Sequence, residues 1–526
     1  MEKFEIKALL SKGLTTLKTR WLQYRGGGSP ITNASPGWLP VLMSVLSSVL
    51  VLALFTMYVR QYFFLFDDYS LVGLAGAKHI VEVFTEGLIG FYRPVAFAFF
   101  QMEYALFHWH TPGGYALVSC VLHFANALLA ARLVRLTFPH ERSMAWVSFT
   151  VCLLSPWASE TFFWSSCQFD LVGTLFGLLA ISVAVQSSSA ETSTSMFCIS
   201  IIATAILTSC AVFTKESFIV LPALFLVFAL YRHGAPEIFR RGRIVGAAAI
   251  MALSVVAYLI VRANVLSAFT GAYGNYFDLL RHPHPLHLAY AFLVPPIDRS
   301  NTVLFEYYRP LFAILTGLVL LISFANHPRE TTISFFGFVC SLIPVLPFDI
   351  GSNSTAGGRF IYFPGVFAAI AYAHGLVEGS RADTGKTALH VTAVAMRRIV
   401  TVLFFLYMAM SLGYQQTLWS QSTRIARSCM EQFGRLRNTG THFYITNLPH
   451  AFVQGPYVLR PYAFSYYYPN SGVRVRADRT WLSYDHGKVL EFKGDQDPFS
   501  QYRTNADEIE LTLDCVGDSQ SSTPAR

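Results

Sequence analysis

The chain has 526 residues, of which 53% are apolar and only 13% are charged. A soluble chain of this length would carry about a quarter charged residues, so the composition excludes a soluble globular protein. Lysine and arginine outnumber aspartate and glutamate by 39 to 31. In a membrane protein such an excess bears on topology, and it does not indicate nucleic-acid binding.

Apolar runs of about twenty residues recur from Trp38 to the 410s, and each is long enough to cross the hydrocarbon core. The sequence therefore predicts an all-α polytopic membrane protein with about 11 transmembrane helices. Residues 1–37 are too long and too polar for a cleavable signal peptide. Six basic residues are spread through them, so we expect a cytoplasmic tail.

The first span ends near Val59 and leads into a predicted outer loop, residues 60–112. This loop carries the adjacent acids Asp67 and Asp68, followed by Arg93-Pro94. Ionisable groups at the edge of a bilayer are functional candidates by default, although loop acids beside a span are often merely solvated. The apolar stretch 91–110 is too short for a clean crossing, so we expect it to lie along the interface.

The later spans return to the same outer side at four further places. These turns contain, in chain order, Pro156 to Glu160, Thr214-Lys215-Glu216, Arg262, and Gly358-Arg359-Phe360. The basic clusters fall on the opposite side, as the positive-inside rule requires. An odd number of spans then puts the two termini on opposite faces of the membrane.

The C-terminal region, residues 415–526, follows a membrane domain of residues 38–414 and changes character. Short β-prone runs alternate with turn residues, which predicts a small extracytoplasmic α/β domain. Cys429 and Cys515 could pair there if the domain faces an oxidising compartment, and the sequence leaves this open. Its aromatic residues could bind an acceptor glycan or simply pack over the membrane part.

Taken singly, each charged residue on the outer side has a structural explanation. Arg93 could cap a helix, Arg262 could snorkel, and His123-x-x-Asn126 is typical of an interhelical hydrogen bond. Together, carboxylates and cations at one face suit transfer chemistry on a lipid-linked phosphate. A carboxylate removes a proton from an attacking hydroxyl, and arginine or lysine neutralises the departing phosphate.

The order of these motifs resembles the GT-C superfamily of integral membrane glycosyltransferases, in particular the protein O-mannosyltransferase-like group. The resemblance covers roughly residues 40 to 375. It is carried by Asp67-Asp68, Tyr92-Arg93-Pro94, His123-x-x-Asn126, Pro156-x-x-x-Glu160, Phe169-Asp170-Leu171, Thr214-Lys215-Glu216-Ser217 and Gly358-Arg359-Phe360-Ile361-Tyr362. No tetratricopeptide repeat is present in the sequence, so an acceptor preference cannot be transferred from members that carry one.

The resemblance implies an inverting enzyme that moves a hexose, for example mannose, from a polyprenyl-phosphate carrier to an acceptor hydroxyl. One acid of the pair would be the catalytic base, and Asp67 is favoured because the first acid usually has that role. The implied donor-phosphate contacts are Lys215, Arg359 and Arg262. The implied acceptor or site-orienting residues are Glu160, Glu216, Arg93 and His123, of which Arg93 and His123 could instead be structural supports.

The resemblance further implies that neither a cofactor nor a divalent metal is needed. The run His282-x-His284-x-x-His287 could bind zinc, but its intervening prolines favour a solvated loop. The implied partners are the lipid-linked donor, a glycan, lipid or protein acceptor, and membrane lipids. We expect a bacterial inner-membrane protein with a cytoplasmic N-terminus and a periplasmic C-terminal domain.

Three other functions remain open from the sequence. A transporter or lipid-sugar flippase would place ionisable groups near the bilayer midplane and show paired broken helices. A glycan ligase or polymerase with a polyprenyl-pyrophosphate donor shares the predicted location and is poorly separated by sequence. A structural membrane scaffold would leave the one-sided charges without an explanation.

Overall fold

The computed structural model describes residues 38–139, 142–156, 159–188, 192–234, 242–267, 303–348, 357–377, 388–439, 442–452, 456–469, 474–485, 488–493 and 509–515. Helices make up most of these residues, and the strands are confined to the C-terminal part. The predicted basic tail, 1–37, and the histidine run, 282–287, lie outside the described residues. The predicted fold class, a polytopic helical membrane protein with a small C-terminal α/β region, is confirmed.

Three helices of the first half of the chain begin at a proline or at a polar cap. Proline occupies the first turn of two of them, where its missing N–H would be unsatisfied in any case. Ser193 caps a third helix by accepting a hydrogen bond from the Met196 N–H. These helices are α1 (Trp38–Gln61), α2 (Asp68–Ala77), α3 (Ile80–Thr85), α4 (Pro94–Phe107), α5 (Pro112–Thr137), α6 (Arg142–Leu153), α7 (Ser159–Phe163), α8 (Gln168–Ser187) and α9 (Thr194–Thr214).

The second half of the membrane part is built around one buried helix. It contains α10 (Leu221–His233), α11 (Gly242–Leu266), α12 (Val303–Asn326), α13 (Pro328–Leu342), α14 (Tyr362–Leu376) and α15 (Ala388–Leu436). Every residue of α14 is buried. Helices α5, α6, α8, α12 and α13 all contact it, so α14 forms the centre of the bundle.

Seven helical segments are long and apolar enough to cross a membrane. They are Leu39–Gln61, Pro112–Thr137, Ser165–Ser187, Thr194–Thr214, Glu216–His233, Gly242–Leu266 and Val394–Leu436. The other four of the eleven predicted spans correspond to α6, α12, α13 and α14, which do not reach that length and apolarity over the described residues. The shorter α4 lies within the stretch 91–110, which was predicted to lie along the interface.

The C-terminal sheet has four strands in the order β3-β2-β1-β4. The strands are β1 (His442–Phe452), β2 (Arg474–Asp485), β3 (Lys488–Lys493) and β4 (Ile509–Leu511). Strand β1 pairs in parallel with both β2 and β4, whereas β2 and β3 are antiparallel. A short helix, α16 (Tyr462–Tyr467), lies between β1 and β2 in the chain and contacts α2 beside the acidic pair.

Helix α15 runs without interruption through residue 414, where the sequence analysis ends the membrane domain. Phe433 near its end packs against Phe443 of β1 and Phe464 of α16, which joins the helix to the sheet region. A disulfide between Cys429 and Cys515 adds a covalent connection, so the pairing that the sequence left open is present. The division of the chain at 414 stays a prediction.

Candidate active site

The chain leaves α1 through an aromatic segment and turns at Phe66, immediately before the acidic pair. Phe66 has φ = +43°, a left-handed conformation that costs a non-glycine residue about 1–2 kcal/mol. Its N–H donates to the Val458 carbonyl at 3.0 Å, and the Arg460 guanidinium lies 3.8 Å from the centre of its ring. Contacts from the C-terminal region thus hold the turn that orients Asp67 and Asp68.

Asp68 points into the protein and is completely buried. Its carboxylate accepts hydrogen bonds from the Tyr62 hydroxyl (2.6 Å), the Leu65 N–H (2.9 Å), and both the N–H (2.8 Å) and hydroxyl (2.5 Å) of Ser166. Burial raises the pKa of Asp68 to about 6, and the hydrogen bonds from Ser166, Tyr62 and Leu65 limit that rise. Asp68 therefore ties the first loop to the segment before α8.

Asp67 points the other way, and 39% of its side chain is exposed. The Tyr462 hydroxyl donates to one of its carboxylate oxygens at 2.5 Å, and the Arg460 guanidinium lies 3.7 Å from the same oxygen. Both partners come from the C-terminal region, almost 400 residues later in the chain. Asp67 is thus the acid of the pair that a substrate can reach, and it is held in one orientation.

Glu160 and Arg359 form an ion pair beside this loop. The Glu160 carboxylate is buried and accepts from the Arg359 guanidinium at 2.6 Å and from the Arg359 N–H at 2.9 Å. Burial raises the pKa of Glu160, and Arg359 opposes that rise. The Arg359 side chain is 26% exposed and lies over the rings of Trp164 and Phe360, so it is both fixed and reachable.

Lys215 is buried and bound to Asp170. Its ammonium donates to the two carboxylate oxygens at 2.6 and 2.7 Å, and the side chains are only 5% and 6% exposed. The Lys215 ammonium also lies 5.1 Å from the centre of the Phe360 ring, on which Arg359 rests as well. Lys215 and Arg359, two of the three predicted phosphate-binding cations, are therefore neighbours across one aromatic ring.

A third group of charged side chains, beside the Glu160–Arg359 and Lys215–Asp170 pairs, consists of Arg93, Glu216 and Arg262. Arg93 donates from Nε and Nη2 to the two Glu216 oxygens, at 3.0 and 2.5 Å. Arg262 is buried, approaches Glu216 to 3.5 Å and donates to the Tyr258 hydroxyl at 2.8 Å. Two arginines therefore share the Glu216 carboxylate.

His123 is buried on α5, and its ring stacks on that of Phe162 in α7. Its Nε2 is 3.1 Å from the Leu153 carbonyl, which can only accept, so Nε2 carries the proton and Nδ1 accepts from the Tyr362 hydroxyl at 2.9 Å. The Asn126 amide donates to the Leu171 carbonyl and to the same hydroxyl. These are the interhelical contacts that the structural explanation of His123-x-x-Asn126 requires.

The acidic pair and the three charged groups meet at one end of the helix bundle, and we call them together the charged rim. It comprises Asp67, Asp68, Arg93, Glu160, Asp170, Lys215, Glu216, Arg262 and Arg359. The ring of Phe66 contacts those of Trp164 and Tyr457, and Trp164 lies beneath Arg359. An aromatic layer thus connects Asp67 with Arg359, and both of these side chains are partly exposed.

Several rim contacts were missing from the predicted site. Asp170 belonged to a recognised motif, but its partner Lys215 is 45 residues away, and spacing alone does not indicate the pair. Arg460, Tyr462 and Tyr457 lie in a region predicted only as a small α/β domain. The prolines and aromatic residues around them were the one sequence feature indicating that this segment packs against another part of the protein.

Within the described residues, no group of three or more histidine, cysteine, aspartate or glutamate side chains is arranged to hold a metal ion. The charged rim has the ligand chemistry of anion binding and proton transfer, with oxygen acceptors and nitrogen donors already paired. Whether the reaction needs a metal is untested by this geometry, so metal independence stays a prediction.

No protein-family model matches the chain, and no curated protein matches it. Among solved structures, it is similar to ArnT from Cupriavidus metallidurans bound to undecaprenyl phosphate, at 14% identity and a TM-score of 0.46 over 86% of this chain and 93% of that chain. The apo state of the same protein gives 14% identity and a TM-score of 0.47, over 84% and 85% of the two chains.

A second similar structure is the archaeal oligosaccharyltransferase AglB from Archaeoglobus fulgidus, in complex with an inhibitory peptide and a dolichol-phosphate. Its identity is 9% and its TM-score 0.40, over 82% of this chain and 64% of that one. These identities and TM-scores do not assign an activity. We therefore infer function from the charged rim itself.

Proposed function

We propose that the chain is a GT-C-type glycosyltransferase that moves a hexose from a polyprenyl-phosphate carrier to an acceptor hydroxyl at the extracytoplasmic face. One observation carries the proposal. Of two adjacent carboxylates at the membrane edge, Asp68 is buried and fully hydrogen-bonded, whereas Asp67 is exposed and held by Tyr462 and Arg460. That division gives one acid a structural role and leaves the other free to exchange a proton with a substrate.

In the proposed reaction Asp67 is the general base. Its carboxylate accepts the proton of the acceptor hydroxyl as that oxygen forms a bond to the anomeric carbon. The bond from the anomeric carbon to the phosphate oxygen breaks at the same time, and its electron pair leaves with the polyprenyl phosphate. Attack from the side opposite the leaving group inverts the anomeric centre.

The donor phosphate would bind first at Arg359. The Arg359 side chain is partly exposed, and the planar fork of its guanidinium matches phosphate oxygens. Lys215 would be a second contact, once the phosphate competes for it with Asp170. Arg262 is buried and lies 3.5 Å from Glu216. Its proposed role is therefore to add positive charge near the phosphate, and the first direct contact with the phosphate is assigned to Arg359.

The remaining predicted residues would orient the site. Glu160 would hold Arg359 in place, and Glu216 would hold Arg93 and Arg262. Each of the two carboxylates would thus orient the cations bound to it. His123 would act only through the helices that it joins. We propose a bacterial inner-membrane location with the charged rim on the periplasmic side, and a glycan, lipid or protein acceptor.

The test measures the polyprenyl phosphate that the full-length protein releases in nanodiscs. The donors are a panel of polyprenyl-phosphate sugars and one polyprenyl-pyrophosphate glycan. We expect free polyprenyl phosphate from a monophosphate donor, and Arg359→Gln to lower kcat/KM about 100-fold. Arg435→Gln, an exposed arginine at the end of α15, is the matched control and should leave turnover unchanged.

Two results would contradict the proposal. Turnover with the pyrophosphate donor alone would identify a ligase or polymerase. Movement of intact lipid-linked sugar across the bilayer, without bond cleavage, would identify a flippase.

A further inference from the structure

A cleft opens beside Asp67 in the C-terminal region. Its volume is about 460 Å³, within the range of sites that hold small molecules. It is lined by Arg460, Pro461, Tyr462, Ser465, Arg474 and Arg479. Helix α16 and strand β2 supply its walls, so the cleft belongs to the C-terminal region and not to the membrane bundle.

The arginines of the cleft differ from the cations of the charged rim in how they are paired with carboxylates. Lys215 and Arg359 are each bound to their own carboxylate. Arg474 and Arg479, by contrast, are exposed and form no ion pair within the described part of the chain, and Arg460 is 3.7 Å from the exposed Asp67. Three arginines line one cleft, and among the described residues Asp67 is the one carboxylate within ion-pair distance of any of them, so the cleft attracts anions.

The cleft and the proposed base share two side chains. Tyr462 donates its hydroxyl to Asp67 and also lines the cleft, and Arg460 does both as well. In an in-line displacement the base and the leaving phosphate lie on opposite sides of the anomeric carbon. A molecule bound in the cleft, on the Asp67 side, therefore occupies the position of the acceptor and not that of the donor phosphate.

We propose that this three-arginine cleft binds an anionic group, a phosphate above all, on the acceptor, and so presents a nearby acceptor hydroxyl to Asp67. The inference rests on the proposed glycosyl transfer and adds the chemical class of its acceptor. The phosphate could belong to a water-soluble phosphorylated sugar or to a lipid headgroup. Arginine suits either source because its guanidinium binds phosphate oxygens in pairs.

The test measures binding without turnover, using full-length protein in phosphatidylcholine nanodiscs. Glucose 6-phosphate and neutral methyl glucoside are the soluble probes, and saturation-transfer NMR gives their dissociation constants. Phosphatidylglycerol, added to the nanodiscs, is the lipid probe, and native mass spectrometry counts the molecules that stay bound. The variants are Arg474→Gln and Arg479→Gln, with Arg435→Gln as the matched control.

We expect one phosphorylated probe to bind, and each cleft substitution to weaken it about fivefold while Arg435→Gln does not. Methyl glucoside should not bind. A response confined to glucose 6-phosphate assigns a soluble acceptor, and one confined to phosphatidylglycerol assigns a lipid headgroup. Equal binding by all variants, or no binding of either anionic probe, would overturn the proposal.

The outcome is separable from that of the transfer reaction. Asp67→Asn removes a negative charge beside the cleft, so it should abolish transfer while it keeps or strengthens anion binding. If the wild type transfers sugar but the arginine substitutions do not change anion binding, the proposed glycosyl transfer is supported and the proposed role of the cleft is refuted. If binding depends on the arginines but no donor supports transfer, the role of the cleft in anion binding is supported and the glycosyl transfer is refuted.

Discussion

Replacing the two members of the buried Asp170–Lys215 pair, singly and together, tests the central ion pair of the charged rim. Lys215→Met would leave a carboxylate buried without a partner, and Asp170→Leu would leave a buried ammonium. Both side chains are about 95% removed from solvent and joined by two short bonds. Breaking such a pair by removing one partner costs about 3–5 kcal/mol of unfolding free energy.

The double variant should behave differently, because it leaves no buried charge. Apolar replacement of a buried ion pair is often close to neutral, so we expect Asp170→Leu/Lys215→Met to lie within about 2 kcal/mol of the wild type. The assay is reversible unfolding in mixed micelles with increasing dodecyl sulfate. Additive losses, with the double variant the least stable of the three, would refute the pairing.

The same variants report on the role of Lys215 in transfer. If Lys215 is the second phosphate contact, the double variant regains stability but keeps a raised KM for the donor. Recovery of both stability and KM would limit Lys215 to its bond with Asp170 and leave Arg359 as the one proposed phosphate contact.

Three further predictions concern the loop and the C-terminal region. Burial raises the pKa of Asp68 to about 6, so the folded state binds this proton more tightly than the unfolded state, and the unfolding free energy should fall by about 3 kcal/mol as the pH rises from about 3 to about 7. Titrated unfolding of Asp68→Asn should lack this part of the slope, and an unchanged slope would contradict the prediction. Tyr462→Phe, which removes the hydroxyl that donates to Asp67, should lower kcat about tenfold in the transfer assay, whereas the neighbouring Tyr466→Phe should have no effect; equal losses would argue against a positioning role. Cys429→Ser opens a disulfide that spans 86 residues and should lower the unfolding free energy by about 4–5 kcal/mol, and unaltered stability would show that the disulfide contributes little.

The membrane fold could be predicted because its signals are local. Apolar runs and the basic residues between them predict the spans and their order, and seven of the helices have the required length. The same alternation predicted that charged residues from distant loops belong to one face. The described structure brings Asp67, Arg93, Glu160, Lys215 and Arg359 to one end of the bundle accordingly.

The partners within the site could not be predicted, since they depend on tertiary packing. Glu160 and its bonded Arg359 are 199 residues apart, and Asp67 and Tyr462 are 395 apart. Nor does an acidic pair in sequence reveal which acid is buried. That difference arises from the left-handed turn at Phe66 and from hydrogen bonds that the pair receives from other elements.

The most direct test of the central claim is single-turnover sugar transfer by the wild type, Asp67→Asn and Asp68→Asn, with folding of each variant checked by its elution as a monodisperse peak. We predict that Asp67→Asn loses at least a hundredfold in rate, the scale of a lost general base, while Asp68→Asn stays within about tenfold of the wild type. A wild-type rate for Asp67→Asn would contradict its assignment as the base.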